Sequence, residues 1–325
     1  MTPTRTAPAR WLILAAFAAV YIIWGSSYLG IHFALETMPP FFMAGLRFVL
    51  AGGLLIAWAL LRGSPFPNWK HWRSAVIVGF MLFVLNNSLI VFAEKEGVPT
   101  GVVALLIATT PIWIVIINAL RGQKPTRGVV SGIALGFVGI ALLIGPAKLA
   151  SGTDFDLLWA GGVIVAAMFW ALGSMYARSA PLPASSPLST GMQLFMGGLM
   201  QLMLSAGTGE LATVDPAQFS AKSWLAVIYL VIFASIIAFT AFVWLMRVCP
   251  PERVATYAYV NPVIAVFLGW ALAGETLTPL TLVAAAVIVA SVVMINASGK
   301  GFGRLRLNLA RRMTGRAVAH GAKPV

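Results

Sequence analysis

Charge is scarce in this sequence. Of 325 residues, 22 are Lys or Arg and nine are Asp or Glu, so charged side chains make up 10% of the chain against 60% hydrophobic. A soluble domain carries roughly 25% charged residues and about 45–50% apolar ones. The polar surface needed to cover a water-exposed globule is therefore missing. Cysteine is rarer still: Cys249 stands alone, which excludes an internal disulfide framework. His32, His71 and His320 are scattered and form no HExxH pair, so a zinc-protease site has no support. A Walker-type phosphate loop and a GxSxG nucleophile elbow are both absent, which argues against ATP-driven pumping and serine-esterase chemistry. Acids at mid-depth of the apolar runs are lacking too, since Glu94 and Glu275 stand near run ends. Ion-coupled carriers commonly use such a group, so coupling is absent, mediated by Glu94, or dependent on backbone carbonyls. No cofactor, resident metal or nucleic-acid partner is expected.

What the chain does have is apolar length. Runs of about 20 residues, the thickness of a bilayer core, fall near 11–33, 40–61, 73–93, 98–120, 127–146, 157–178, 187–206, 223–246, 254–273 and 278–297. The first continues through Trp24 and Tyr28, longer than the ~7–15-residue core of a signal peptide, and reads as a membrane helix. Ten runs leave eleven hydrophilic segments. The odd-numbered ones, with the tail, hold 18 basic residues; the even-numbered ones hold only Lys95, Lys148 and Lys222. Eight acids lie on the basic-poor side, and only Glu252 joins the basic side. Because positive charge favours the cytoplasm, both termini are expected there, with the lipid bilayer as the chain's surroundings.

The sequence also repeats itself at a spacing of about 150 residues. Gly25-Ser26-Ser27-Tyr28 returns as Gly173-Ser174-Met175-Tyr176, the stretch Gly45–Gly52 aligns with Gly191–Gly198, and Thr110-Pro111 matches Asn261-Pro262. The third and eighth runs align poorly. Five runs per half is an odd number, so the second half must cross the bilayer inverted. Inverted repeats mark secondary transporters, with the substrate site near the midplane between halves. The expected fold is thus an all-α polytopic membrane protein of ten transmembrane helices in two inverted five-helix repeats. Residues 1–147 form the first repeat, 148–297 the second, and 298–325 a basic cytoplasmic tail. In that tail Phe302, Leu305, Leu309 and Met313 make a helical stripe among arginines, which fits an interfacial helix or a disordered basic tail equally well.

Several motifs carry a resemblance: Tyr21-Ile-Ile-Trp-Gly-Ser-Ser-Tyr28, Pro39-Pro40 followed by Arg47, and Val98-Pro-Thr-Gly101 leading to Thr110-Pro111. Tyr257-Ala-Tyr-Val-Asn-Pro262 and Gly274-Glu275 extend it through the second half. Over residues 11–297 the chain resembles the EamA branch of the drug/metabolite transporter superfamily. The resemblance implies a ten-helix exporter whose central cavity is lined mainly by spans one, three, four, six, eight and nine. It further implies amino acids, aromatic ones included, or other small metabolites and drugs as cargo. The first half departs from the pattern at Gly122-Gln123-Lys124, where the second has Gly274-Glu275.

Candidate binding residues follow from polar and aromatic groups on those spans: Trp24, Ser27, Tyr28, Asn86, Asn87, Thr109, Thr110, Trp113, Trp170, Tyr176, Tyr257, Tyr259 and Asn261. Deep aromatic faces can stack flat substrates or hold a cation, or simply pack. Asn86 and Asn87 either face a cavity or join helices. Pro111 and Pro262, near the midpoints of spans four and nine, are expected kinks, each freeing a carbonyl one turn earlier at Ile107 and Ala258. Arg47 is the only basic residue well inside a span, and such a charge marks function, a structural pair with Glu36 or Glu94, or snorkelling to the outer interface. A nearly uncharged, aromatic lining suits neutral or zwitterionic amino acids. A multidrug exporter and a passive channel remain alternatives, and a membrane-embedded enzyme lacks the paired acids or histidines it would need.

Overall fold

A computed structural model describes residues 9–96, 98, 103, 106–144, 157–273 and 278–298. Pro99-Thr100-Gly101, Gly274-Glu275 and the tail beyond residue 298 lie outside the described residues, as does the side chain of Glu94. The described residues contain helices and turns and no strand. Apolar runs bounded by turn residues become helix α1 (Arg10–Leu35), α2 (Pro40–Leu61), a composite α3 beginning at Trp69, α4 (Thr110–Leu120) and α5 (Arg127–Ile144). The second half gives α6 (Leu157–Ser179), α7 (Ser186–Gly207), a composite α8 beginning at Ala221, α9 (Tyr257–Ala273) and α10 (Pro279–Ser298). Six of these are long and apolar enough to cross a membrane, namely α1, α2, α3, α6, α8 and α10, while α4 and α5 are shorter apolar helices. The long helix α7 is less apolar for a visible reason: Ser189, Thr190, Gln193, Gln201 and Ser205 are buried in it, facing protein instead of lipid.

Local chemistry sets the ends. Pro40 opens α2, and the Glu210 carboxylate from the loop after α7 accepts from the backbone N–H groups of Phe41 and Phe42 at 3.0 and 3.1 Å. An anion there satisfies orphan donors and meets the positive end of the helix dipole. Asn68 and His71 form a reciprocal capping box at the start of α3. Gly63, Gly122 and Gly209, with φ of 82°, 79° and 82°, end α2, α4 and α7 in the left-handed conformation glycine adopts without strain.

Glycines also decide how the helices meet. A Cβ on Gly52 would lie 2.4 Å from the backbone nitrogen of Phe195, and one on Gly198 2.6 Å from that of Val49. Gly45 lies against Leu202 and Gly191 against Ile56, so contacts advance along α2 as they retreat along α7. These two helices are antiparallel, and each contact recurs with the roles of the helices exchanged. On α5, Gly132, Gly136 and Gly139 meet Ile295, Ser291 and Ile288 of α10, again antiparallel. Elsewhere α1 packs on α8 and α9, while α6 packs on α3 and α4, the same arrangement with the halves swapped. The main apolar cluster runs through α1, α2, α3, α6 and α8, and a second holds α4, α5, α9 and α10 together.

The third and eighth runs, least alike in sequence, share an unusual backbone. In α3 a π-helical segment, Phe80–Leu85, separates α-helical Trp69–Gly79 from Asn86–Lys95. In α8 the π-helical segment Leu230–Ala238 separates Ala221–Tyr229 from Phe239–Val248. The prolines, by contrast, do not match. Pro111 lies in the first turn of α4, behind a turn at residues 108–109, where its missing N–H costs nothing. Pro262 sits inside α9, and the break in its span falls earlier, at residues 255–256 after the one-turn helix Pro251–Val254.

Candidate functional site

A cavity of about 250 Å³ opens at the centre of the bundle. Both π segments reach it, through Leu82 and Phe83 of α3 and Ala234 and Ser235 of α8. π-Helical turns break the α-helical pairing pattern and recur at functional sites. In this protein side chains take up a carbonyl of each segment: the Trp24 indole donates to Ala234 at 3.1 Å, and the Gln201 amide donates to Phe83.

Of the residues expected from the sequence, Trp24, Ser27, Tyr28, Asn86, Asn87, Thr110, Trp170, Tyr257 and Asn261 all line this cavity. Tyr28 lies at its rim, 45% exposed. Trp24 centres an aromatic cluster, its ring 5.0 Å from Tyr257, 5.2 Å from Phe242 and 5.9 Å from Trp170, the Tyr257 and Trp170 contacts edge-to-face. Oriented to suit its neighbours, the Asn261 amide donates to the carbonyls of Tyr257 and Tyr21 at 3.2 Å. Asn86 donates to Ala166 of α6 at 2.9 Å, so it joins helices and lines the cavity at once.

The remaining expected residues lie elsewhere. Thr109 turns back on the carbonyl of Leu106 at 2.6 Å. Trp113 and Tyr176 pack against the main apolar cluster. Tyr259 is fully buried in the second cluster, its ring against Gly136 of α5. The Ile107 carbonyl, expected to be freed by Pro111, already accepts the Thr110 hydroxyl at 2.7 Å.

Of the two acids considered as structural partners for Arg47, Glu36 is engaged by Lys222 at 2.6 Å, and the Glu94 side chain lies outside the described residues. Arg47 lines the cavity instead, donates through Nε to Ser235 Oγ at 2.8 Å, and lays its guanidinium 5.0 Å from the centre of the Phe48 ring. Sequence reasoning passed over Ser235, Phe48, Phe83 and Phe239. Of these only Ser235 carries a signal, as a lone hydroxyl within an apolar run.

A second cavity of about 570 Å³ lies along the same elements, lined by Asn118 at the end of α4, Met175 and Arg178 at the end of α6, and Cys249 and Glu252 before α9. The two cavities share no lining residue. On α6, Trp170 faces one and Met175 the other. Two polar ties join residues of the second cavity's own lining, Asn118 to Glu252 at 2.6 Å and Arg178 to the Cys249 carbonyl at 3.2 Å, and Tyr21 of α1 bonds to Thr256 before α9. Burial pushes the Cys249 thiol above its ordinary pKa, with Arg253 and Arg178 opposing the shift.

A bundle of membrane-length helices around a central polar and aromatic cavity defines a polytopic transport protein. Residues 10–145 and 157–297 match the EamA-like transporter family, and the chain belongs to that family. It is 37% identical over 283 residues to the "Uncharacterized inner membrane transporter YedA" of Escherichia coli K12, covering 87% of this chain and 90% of that one. It is 26% identical over 291 residues to the "Probable amino-acid metabolite efflux pump" of Salmonella typhimurium LT2, covering 86% of this chain and 93% of that one. A solved crystal structure shares the fold at a TM-score of 0.72 with 20% identity, over 88% of this chain and 96% of the other. The protein is a multi-pass inner-membrane transporter and not an enzyme.

Proposed function

We propose that the protein exports small amphipathic metabolites, foremost neutral and aromatic amino acids, by alternating access. The observation that carries this reading is a pair of cavities along α4, α6 and the stretch before and within α9 that share no lining residue, the first of them walled by the Trp24 cluster. An open channel is one continuous path, whereas these two cavities share no lining residue, as two chambers used in turn would. Antiparallel pairing of α2 with α7 and of α5 with α10, each joining equivalent helices, supports an inverted repeat whose halves can exchange conformations. The charge alternation supports cytoplasmic termini, which puts the second cavity on the cytoplasmic side. The amino-acid assignment draws on the cavity's size and aromatic lining, and on the printed description of the Salmonella relative.

Proteoliposomes loaded with radiolabelled neutral amino acids test the reading. Saturable efflux well above protein-free liposomes is expected for at least one of them. Efflux no faster than from protein-free vesicles for every neutral amino acid would reject the class, and flux without saturation would favour a channel.

A further inference from the structure

We infer that Arg47 is the carboxylate receptor of the central cavity, making the cargo a molecule with a single carboxylate; this rests on the export reading above. Among the described lining residues Arg47 is the only charged side chain, and none of them is acidic. A cation held away from water is expensive unless it meets an anion. The other described acids near α2 are engaged elsewhere, Glu36 with Lys222 and Glu210 with the start of α2.

The geometry fixes how an anion would be met. Ser235 holds Nε, and Phe48 supports the guanidinium plane. The donors at the two terminal nitrogens are not used by either contact. A guanidinium presents such donors as a planar fork that matches one carboxylate with two parallel bonds. The Ser235 bond comes from the π segment of α8, which also carries Ala234, the acceptor of the Trp24 indole. The receptor and the aromatic wall are therefore tied to the same turn of backbone. Trp24, Trp170 and Tyr257 offer faces for an ammonium or a flat side chain. A cavity of about 250 Å³ accommodates one amino acid and leaves no room for a long peptide.

The test compares ligands on the purified full-length protein by thermal stabilisation, which reports binding to the native state. L-phenylalanine, L-phenylalaninamide, phenethylamine and phenylacetate separate the carboxylate from the ammonium. The acid is expected to bind at least about tenfold more tightly than the amide or amine. Arg47→Gln is expected to erase that preference, Arg47→Lys to keep part of it, and Ser235→Ala to weaken it. Equal binding of acid and amide by the wild type, a comparison that needs no variant to fold, would overturn the inference. So would an acid preference that survives in Arg47→Gln. Binding of phenylacetate without any amino acid would reject the amino-acid reading and keep the receptor. Failure of every carboxylate would reject the receptor, while binding of phenethylamine alone would point to a cation exporter.

Discussion

Arg47 and Gln193 occupy equivalent places on the paired helices α2 and α7, and their fates differ. Arg47 lines the central cavity and reaches Ser235 of α8. Gln193 is fully buried and donates to the carbonyl and hydroxyl of Ser189, one turn back on its own helix, both at 3.0 Å. The backbone frames around them are alike, with exchanged glycine contacts and a π segment in both α3 and α8. The scaffold contacts are thus shared between the two halves, while the side chains at these equivalent places differ. Under the proposed carboxylate recognition that inequality is required, since two identical receptors would hold two anions.

The largest test strikes the shared scaffold. Gly52→Leu and Gly198→Leu each push a side chain into backbone atoms of the facing helix. Each is expected to cost about 3 kcal/mol, the upper part of the usual overpacking range, read as a lower unfolding temperature in detergent. Gly53, adjacent to Gly52, has nothing within 4 Å of a built Cβ. Gly53→Leu is expected to stay within about 0.5 kcal/mol of wild type. Clearly unequal damage at Gly52 and Gly198 would break the equivalence of the halves.

A middle-sized effect concerns the tie between the halves at the second cavity. Glu252 accepts from Asn118 at 2.6 Å, and hydrogen bonds to charged groups contribute about 1.5–3 kcal/mol. If Glu252→Gln forfeits about 1 kcal/mol of this, opening rises about fivefold. Cys249 lines the same cavity and is the chain's only cysteine, so maleimide labelling reads the opening directly. The thiolate is the reacting form, and burial raises the thiol pKa. Wild-type labelling should therefore be slow near neutral pH and still climbing above about 8.5, the free-thiol range. Glu252→Gln should speed it and move the midpoint down. An unchanged rate would mean that the tie does not hold the cavity shut.

Much of this arrangement was legible beforehand because bilayer thickness and loop charge impose strong, simple constraints on a chain. Nine of the ten runs fell within a few residues of described helix ends, the fourth excepted, where α4 begins only at Thr110. Trp24, Trp170, Tyr257 and Asn261 met at one cavity because polar and aromatic groups at mid-depth are few. What stayed hidden was the face each residue presents. In lipid a helix is apolar all round, so the periodic contrast that orients a soluble helix is missing. Trp113 and Tyr259 consequently read like Trp24 and Tyr257, yet pack away from the cavity. The π segments gave no signal, because Phe80–Leu85 and Leu230–Ala238 are as apolar as any neighbouring turn. Ser235, which positions Arg47, could be noticed only as an isolated hydroxyl.

The smallest expected effect separates the two prolines that once looked equivalent. Pro111 occupies the first turn of α4, where no intrahelical donor is lost. Pro111→Ala should therefore leave stability within about 0.5 kcal/mol and transport near wild type. Pro262 interrupts α9 from within, removing the bond that its N–H would give to the Ala258 carbonyl. Pro262→Ala restores that bond beside Asn261 and should straighten and stabilise the helix. If the proposed alternating access involves rocking of α9 against α1, the gain in unfolding temperature should come with several-fold slower transport. Equal slowing by both variants would return the prolines to equivalent roles. Normal efflux by the double variant would remove proline from the mechanism and leave the breaks at residues 108–109 and 255–256 as the points about which the halves move.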